Sequence, residues 1–334
     1  MTLMHTELTQ RFGLRLPVLA GGLMWLADAD YVAAAAHAGA LGFLTAASFP
    51  EDAQLRAEIA RAQELCQGKP FGVNVSMLPK LVPGERTEQV FRTAAEMGVE
   101  VVETSGRNPE PYLPLLRELG LVVIHKVPAV RYAIKAQQVG VDMVSVVGAE
   151  CGGHPGMDMI GSFVNAAMAG RDLNIPFMIG GGVGHGAQIV SALAMGAAGV
   201  VMGTRLLVAQ ELNAHPDYKR AIAEASERDT VLTMSSVRNT VRTLANETTE
   251  AVTRMETDNP NVTIADLMPL VSGQIGRKAY ETGDVSRGLL SAGHALGLTG
   301  AVQPMAEIFD QLEQEACQAL ARIDTLRAPL TEVA

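Results

Sequence analysis

The chain has 334 residues, 48% of them hydrophobic and 19% charged, which supplies a sizeable core and excludes a disordered polymer. Its 26 Lys and Arg stand against 36 Asp and Glu, a net charge of -10 that argues against nucleic acid or an anionic membrane as a partner. No long apolar run is free of glycine or charge, so no spanning helix is expected. The polar start MTLMHTELTQRFG shows no leader pattern. Cys66, Cys151 and Cys317 are odd in number and widely spaced, which fits neither a disulfide framework nor a zinc site. These features predict a cytoplasmic protein acting on a small molecule, either as a monomer or as a homodimer.

In chain order, short apolar runs alternate with helical patterns. Strands are expected at 17–20, 41–45, 72–76, 100–104, 122–126, 142–147, 176–180 and 199–203. They are continuous Val/Ile/Leu-type runs rather than alternating ones, as parallel strands covered on both faces require. Helical patterns fall at 29–37, 53–66, 87–97, 111–119, 130–139 and 186–195. Gly39, Gly98, Gly120, Gly140 and Gly196 sit where a left-handed residue ends a helix. Eight such units predict an α/β protein of the (β/α)8 TIM-barrel type, with an open doubly wound sheet as the alternative. After residue 205 the alternation stops. Residues 206–285 are expected to form a helical subdomain acting as a lid, and 1–205 with 286–334 the barrel, closed by an amphipathic helix at 304–327.

In a barrel enzyme, chemistry gathers where strands end and the following loops begin. The seventh strand runs into Gly180-Gly181-Gly182-Val183-Gly184-His185-Gly186 and the eighth into Met202-Gly203-Thr204-Arg205. Glycine amides, a hydroxyl and a helix start together suggest a phosphate cradle; tight turns alone are the competing reading. Strand five ends in His125-Lys126, one of which faces the mouth, where a lysine would neutralise growing negative charge. Asn74 and the Glu103-Thr104-Ser105 run end strands three and four as further hydrogen-bonding groups. The sixth loop, from Gly148 through Glu150 and Cys151 to His154, frames an imidazole between glycines as a candidate general base. A nucleophilic role for Cys151 lacks a cue, and no metal-ligand spacing surrounds His154. Gly21, Gly22 and Leu23, followed by Met24 and Trp25, would give a flat ring a backbone surface and apolar walls. Neither a P-loop nor a Rossmann fingerprint is present.

The segments LPVLAGGLMW, PFGVNVSMLP, VIHK, GAECGGHPG, IGGGVGHGAQIVSALAMGAAGVVMGTR, SVRNTVRTLAN and SGQIGRKAYETGD resemble the nitronate monooxygenase family and its NADH:quinone reductase branch. The resemblance runs from about Phe12 to Leu298 and implies a barrel holding one non-covalent FMN. By matching position, Gly181, Gly182, Gly203 and Thr204 would hold the phosphate. Gly21, Gly22, Asn74 and Lys126 would line the isoalloxazine, with Leu23, Gly148, Gly180 and Met202 as further cofactor-binding positions, and His154 would be the active-site histidine beside the flavin, catalytic together with Lys126. Two departures stand out. Ala20 occupies a position where relatives carry glutamine, and the loop at 78–84 lacks the glutamine expected to meet NADH.

The resemblance implies oxidation of alkyl nitronates with O2 through the flavin, giving a carbonyl compound and nitrite. Two alternatives share the cofactor: an NAD(P)H:quinone reductase, and an oxidoreductase of unsaturated acyl thioesters. A non-redox isomerase or aldolase using the same cradle is the alternative from another class.

Overall fold

In the computed structural model of the protein, which describes residues 4–77 and 85–326, the eight apolar runs become eight parallel strands. They are β1 (Val18–Ala20), β2 (Leu41–Thr45), β3 (Phe71–Ser76), β4 (Val101–Ser105), β5 (Val122–Val127), β6 (Met143–Val147), β7 (Phe177–Gly180) and β8 (Gly199–Met202). Each pairs with the next, and β8 pairs back onto β1 through Val18↔Val200 and Leu19↔Val201, closing the barrel. Every expected strand lies within about one residue of its observed bounds. The loop at 78–84, where the missing glutamine was expected to matter, lies outside the described residues.

Strand alternation sorts the side chains. Leu19, Phe43, Val101, Ile124, Met178 and Val201 meet inside the barrel. Gly72 makes room for this layer, because a Cβ there would collide with the Phe43 ring. The barrel floor is closed by α1 (Glu7–Phe12), whose Leu8 and Phe12 join the interior cluster. The polar N-terminal segment is therefore a plug. Above the apolar layer, the register places Asn74 between Thr45 and Glu103, and Lys126 beside Ser145, so the interior turns polar toward the rim.

Around the strands run α2 (Ala29–Ala38), α3 (Asp52–Cys66), α4 (Thr87–Glu96), α5 (Leu113–Glu118), α6 (Val130–Val139), α7 (Ser162–Asp172) and α8 (Gly186–Ala194). The expected terminating glycines all take the left-handed conformation, from φ 69° at Gly120 to 93° at Gly196. Helix α7 escaped the sequence reading for a physical reason. Of its eleven residues only Asn165, Ala166 and Ala169 are buried, while Phe163 and Val164 face outward. Its apolar pattern does not mark the core side.

The region 206–285 departs from the all-helical expectation. Leu206, Leu207 and Val208 form a buried 3-10 turn within the barrel's own core cluster. Beyond it come α9 (Pro216–Glu224), a two-stranded antiparallel hairpin of β9 (Thr230–Thr233) and β10 (Val241–Leu244), then α10 (Glu247–Asp258), α11 (Ile264–Val271) and α12 (Gly273–Thr282). The hairpin strands TVLT and VRTL are four residues each and rich in threonine, so neither periodicity announces itself. Finally α13 (Met305–Leu326) returns to the barrel as expected and packs on α8 and α2. Among the described residues no helix is long and apolar enough to cross a membrane.

The seat of α13 depends on a glycine. A Cβ at Gly186 would run into the Leu312 carbonyl and lie 2.5 Å from the Ala316 amide, both backbone atoms of α13. Helix propensity alone makes Gly→Ala favourable. Gly186→Ala is nevertheless expected to lower stability by about 1–3 kcal/mol in urea denaturation, as overpacking does. A rise in stability would contradict this seat for α13.

Candidate active site

The mouth is organised by one fully buried carboxylate. Glu103 on β4 accepts at the same oxygen, Oε2, from Asn74 Nδ2 at 2.6 Å and from Lys126 Nζ at 2.9 Å. Its side chain has 0% exposure, whereas that of Lys126 retains 22% and reaches toward the rim. The ambiguity at the end of strand five is thereby resolved. Lys126 faces the mouth, and His125 turns to the helix layer, where its Nδ1 lies 2.9 Å from Thr104 Oγ1. Burial, aided by the nearby Lys126 charge, pushes the His125 imidazole down to about 4, so it stays neutral near pH 7. Three buried polar atoms in this part of the barrel find no hydrogen-bond partner among the described residues: Thr45 Oγ1, Glu103 Oε1 and Ser145 Oγ.

The strand-one loop lies over this cluster. A Cβ on Gly22 would sit 2.6 Å from Asn74 Cβ and 3.0 Å from Thr45 Oγ1, so only glycine lets the backbone settle there. Gly21 donates its amide to the Met202 carbonyl at 3.0 Å, which ties the loop to the end of β8. Beneath it the buried Tyr31 hydroxyl donates to the Gly21 carbonyl. Leu23 faces Gly203, its Cδ2 3.5 Å from where a Cβ of that glycine would stand.

The loops after β7 and β8 form the expected glycine surface, with two corrections. Gly181 and Gly182 hold φ of 95° and 71°, and the amides of Gly182, Gly203 and Thr204 take no partner among the described residues. The start of α8, however, offers little to an anion. Gln188 Oε1 accepts from Gly184 and His185, His185 Nδ1 accepts from Ala187, and Glu315 of α13 accepts from Gly186. Arg205 is also absent from the cradle. It is buried, and its guanidinium donates to the Thr299 carbonyl and to Gln311 of α13. Open backbone amides on this surface include those of Gly182, Gly203 and Thr204. Gly148 borders it, donating to the Gly180 carbonyl at 2.9 Å. Met202 contributes backbone only, its side chain lying in the helix-facing core.

His154 stands in the loop after β6, and the hairpin holds that loop. Gly153 and Arg242 exchange both backbone hydrogen bonds, at 2.9 and 2.7 Å, while Arg242 Nε donates to the Ala149 carbonyl at 3.2 Å. Glu150 anchors the same loop by accepting from the Ser162 amide and hydroxyl. His154 keeps solvent on one side, and the crowded loop strips water from the other. That desolvation lowers its pKa, opposed by a hydrogen bond to the Asn239 side chain. Cys151 is pushed up to about 12 by burial, which keeps it a thiol and argues against a nucleophile. Arg242 and Asn239 lie in the SVRNTVRTLAN segment, which carried the resemblance but no role, because nothing at that distance along the chain points to the sixth loop. Among the described residues, four of the five non-glycine residues with positive φ, namely Trp25, Met159, Met234 and Arg238, lie in the rim loops and the hairpin turn.

A closed (β/α)8 barrel with a glycine cradle, a lysine and a histidine on its C-terminal rim defines a class of small-molecule enzymes. The nitronate monooxygenase family model matches residues 5–315, and the chain belongs to that family, whose members are oxidoreductases. Among its relatives, a (3aS,4S,5R,7aS)-5-hydroxy-7a-methyl-1-oxo-octahydro-1H-indene-4-carboxyl-CoA dehydrogenase of Mycobacterium tuberculosis is 35% identical over 69% of this chain. The match spans 63% of that relative's length. A probable nitronate monooxygenase of Staphylococcus saprophyticus is 27% identical over 78% of this chain and 84% of its own. Among solved structures, FabK from Thermotoga maritima superposes with a TM-score of 0.88 at 30% identity, covering 97% of this chain and 100% of that one. Nitroalkane oxidase from Streptomyces ansochromogenes, at 23% identity, a TM-score of 0.78 and coverage of 92% and 98%, shares the fold.

His125 gives the site a measurable pH dependence. Its folded pKa lies below the unfolded value of 6.5, so the unfolded chain takes up the proton first as pH falls. The stability that depends on neutral His125 is present above pH 6.5 and is lost on descending to about 4, on the order of 3 kcal/mol in all. Urea midpoints measured between pH 7 and pH 4 should fall accordingly, and His125→Gln should flatten that slope.

Proposed function

We propose that the protein is an FMN-dependent oxidoreductase. The observation that carries this reading is the pairing of two features on one rim: partnerless amides at Gly182, Gly203 and Thr204, and a glycine surface over an incompletely satisfied polar mouth. A phosphate monoester suits the first, since backbone N–H groups bind dianions without a side chain intervening. A flat heteroaromatic ring suits the second, because its carbonyl and N–H edge can answer polar atoms that no group among the described residues answers. Gly181 and Gly180 would frame the phosphate, while Gly21, Gly22, Leu23, Asn74, Lys126 and Gly148 would line the ring. Bound there, FMN supplies the uptake and release of electrons.

The chain's own residues supply position and charge. Lys126 places a cation where negative charge on a ring edge is stabilised. His154, its pKa lowered, is neutral near pH 7 and can donate one ring proton while accepting at the other nitrogen. With an alkyl nitronate, already an anion, it orients the substrate. With a neutral nitroalkane or acyl thioester it takes the proton from the carbon beside the electron-withdrawing group.

Alkyl nitronate oxidation with O2 is the substrate reading that family membership supports. Acyl-thioester chemistry is a second reading, favoured by the CoA-thioester names of two relatives at 35% and 32% identity. Exposed apolar side chains on the rim, Met24 at 44% and Met157 at 52%, agree with either an alkyl or an acyl tail. NAD(P)H would enter as electron donor only in the reductive variants, quinone reduction included. Membership in an oxidoreductase family displaces the isomerase or aldolase alternative.

Anaerobic mixing of the flavin-loaded protein with propyl-2-nitronate, a saturated acyl-CoA, NADH and NADPH in separate shots separates these readings. Bleaching by nitronate is the expected result. Bleaching by the acyl-CoA alone would install the thioester reading, and bleaching only by a nicotinamide would place the enzyme among the reductases. His154→Ala should retain flavin yet lower kcat by about 10²–10⁴-fold with a substrate whose proton it removes. The low-pH limb of wild-type activity should lie below pH 6.5 and vanish in that variant. Full activity in His154→Ala would remove the histidine from the mechanism.

A further inference from the structure

The carboxylate of Glu103 has no access to solvent, and an ionised carboxyl in a barrel interior persists only when donors answer it. Two do, and both converge on Oε2: Lys126 Nζ and Asn74 Nδ2. A carboxylate can only accept, so the amide group it meets on Asn74 must be the nitrogen. Ser76 Oγ lies 3.3 Å from Asn74 Oδ1 and, as a hydroxyl that can donate, is compatible with that orientation. The consequence reaches the mouth. Asn74 turns a carbonyl oxygen, an acceptor, away from Glu103, and Lys126 keeps its remaining N–H donors for the rim. Acceptor and cation side by side complement an imide edge, in which an N–H adjoins a carbonyl.

We propose that Glu103 is the positioning residue of this mouth: it pins Lys126 as an ion pair and locks the Asn74 amide with its oxygen outward, so that the site selects a ring bearing an N–H beside a carbonyl. The selection step rests on the FMN reading, while the pinning of Lys126 and Asn74 does not. Glu103 touches no substrate. It acts through its two partners, and its unanswered Oε1 remains inside the barrel.

Two variants separate its charge from its shape. Glu103→Gln keeps an acceptor for Asn74 and Lys126 but loses the charge; Glu103→Leu removes both. In flavin-free protein, acetylation of Lys126 by an amine-selective ester, mapped by mass spectrometry, should rise roughly tenfold or more in either variant, because an amine released from its ion pair with Glu103 is free to meet the ester. A merely structural role would leave that rate unchanged, and an unchanged rate in both folded variants overturns the proposal. The second measurement compares binding of FMN with that of N3-methyl-FMN. Wild type and Glu103→Gln should favour FMN by about tenfold, the worth of one hydrogen bond, and Glu103→Leu should lose the preference. An undiminished preference in Glu103→Leu overturns the locking of Asn74. If wild type binds neither flavin, the cofactor reading falls, and the acetylation rates still decide the role of Glu103.

Discussion

Closure of the barrel is the constraint on which the site depends. Once β8 pairs with β1, the C-terminal ends of all eight strands must lie on one rim, and residues far apart in the chain become neighbours. Gly21 donates to Met202 across that seam, and Leu23 meets Gly203. Asn74, Glu103 and Lys126 come from three consecutive strands and become one hydrogen-bonded group. The apolar layer below, sealed by Leu8 and Phe12 of α1, keeps water out from the floor, so the polar layer is approached only from the rim.

The remaining parts of the chain serve that rim. Helix α13 supplies Glu315 to the amide of Gly186 and Gln311 to Arg205, so it finishes polar groups that the barrel leaves open. The hairpin of β9 and β10 extends the sixth loop by backbone pairing at Gly153 and braces it with the buried Arg242. Such bracing fixes the position of the loop that carries the His154 imidazole. The chain's family consists of oxidoreductases, and the FMN and substrate readings remain the proposal argued from the rim residues and the relatives.

Much of this was legible in the sequence. Continuous apolar runs such as VVIHKV and MVSVV read as buried parallel strands, and glycines at helix ends located the turns. Strand parity narrowed His125 and Lys126 to one inward and one outward group without saying which. What escaped depends on contacts distant in sequence. The capping of α8 by Glu315 and the turning of Arg205 toward α13 removed two features from the expected phosphate cradle. The hairpin was hidden because four-residue strands rich in threonine carry no clear period, and α7 because its apolar side chains face out. Glu103 was noted only as one of a run of polar residues; its central place required knowing that Asn74 and Lys126 lie beside it.

The measurement that bears most directly on the account is titration of flavin-free protein with FMN and with riboflavin, followed by quenching of flavin fluorescence. If backbone amides at Gly182, Gly203 and Thr204 hold the phosphate, FMN should bind with one-to-one stoichiometry and riboflavin roughly 100-fold more weakly, since charge-assisted hydrogen bonds are lost with the phosphate. Equal affinity for the two would show that the cradle holds no phosphate, and failure to bind either would contradict the flavin site itself.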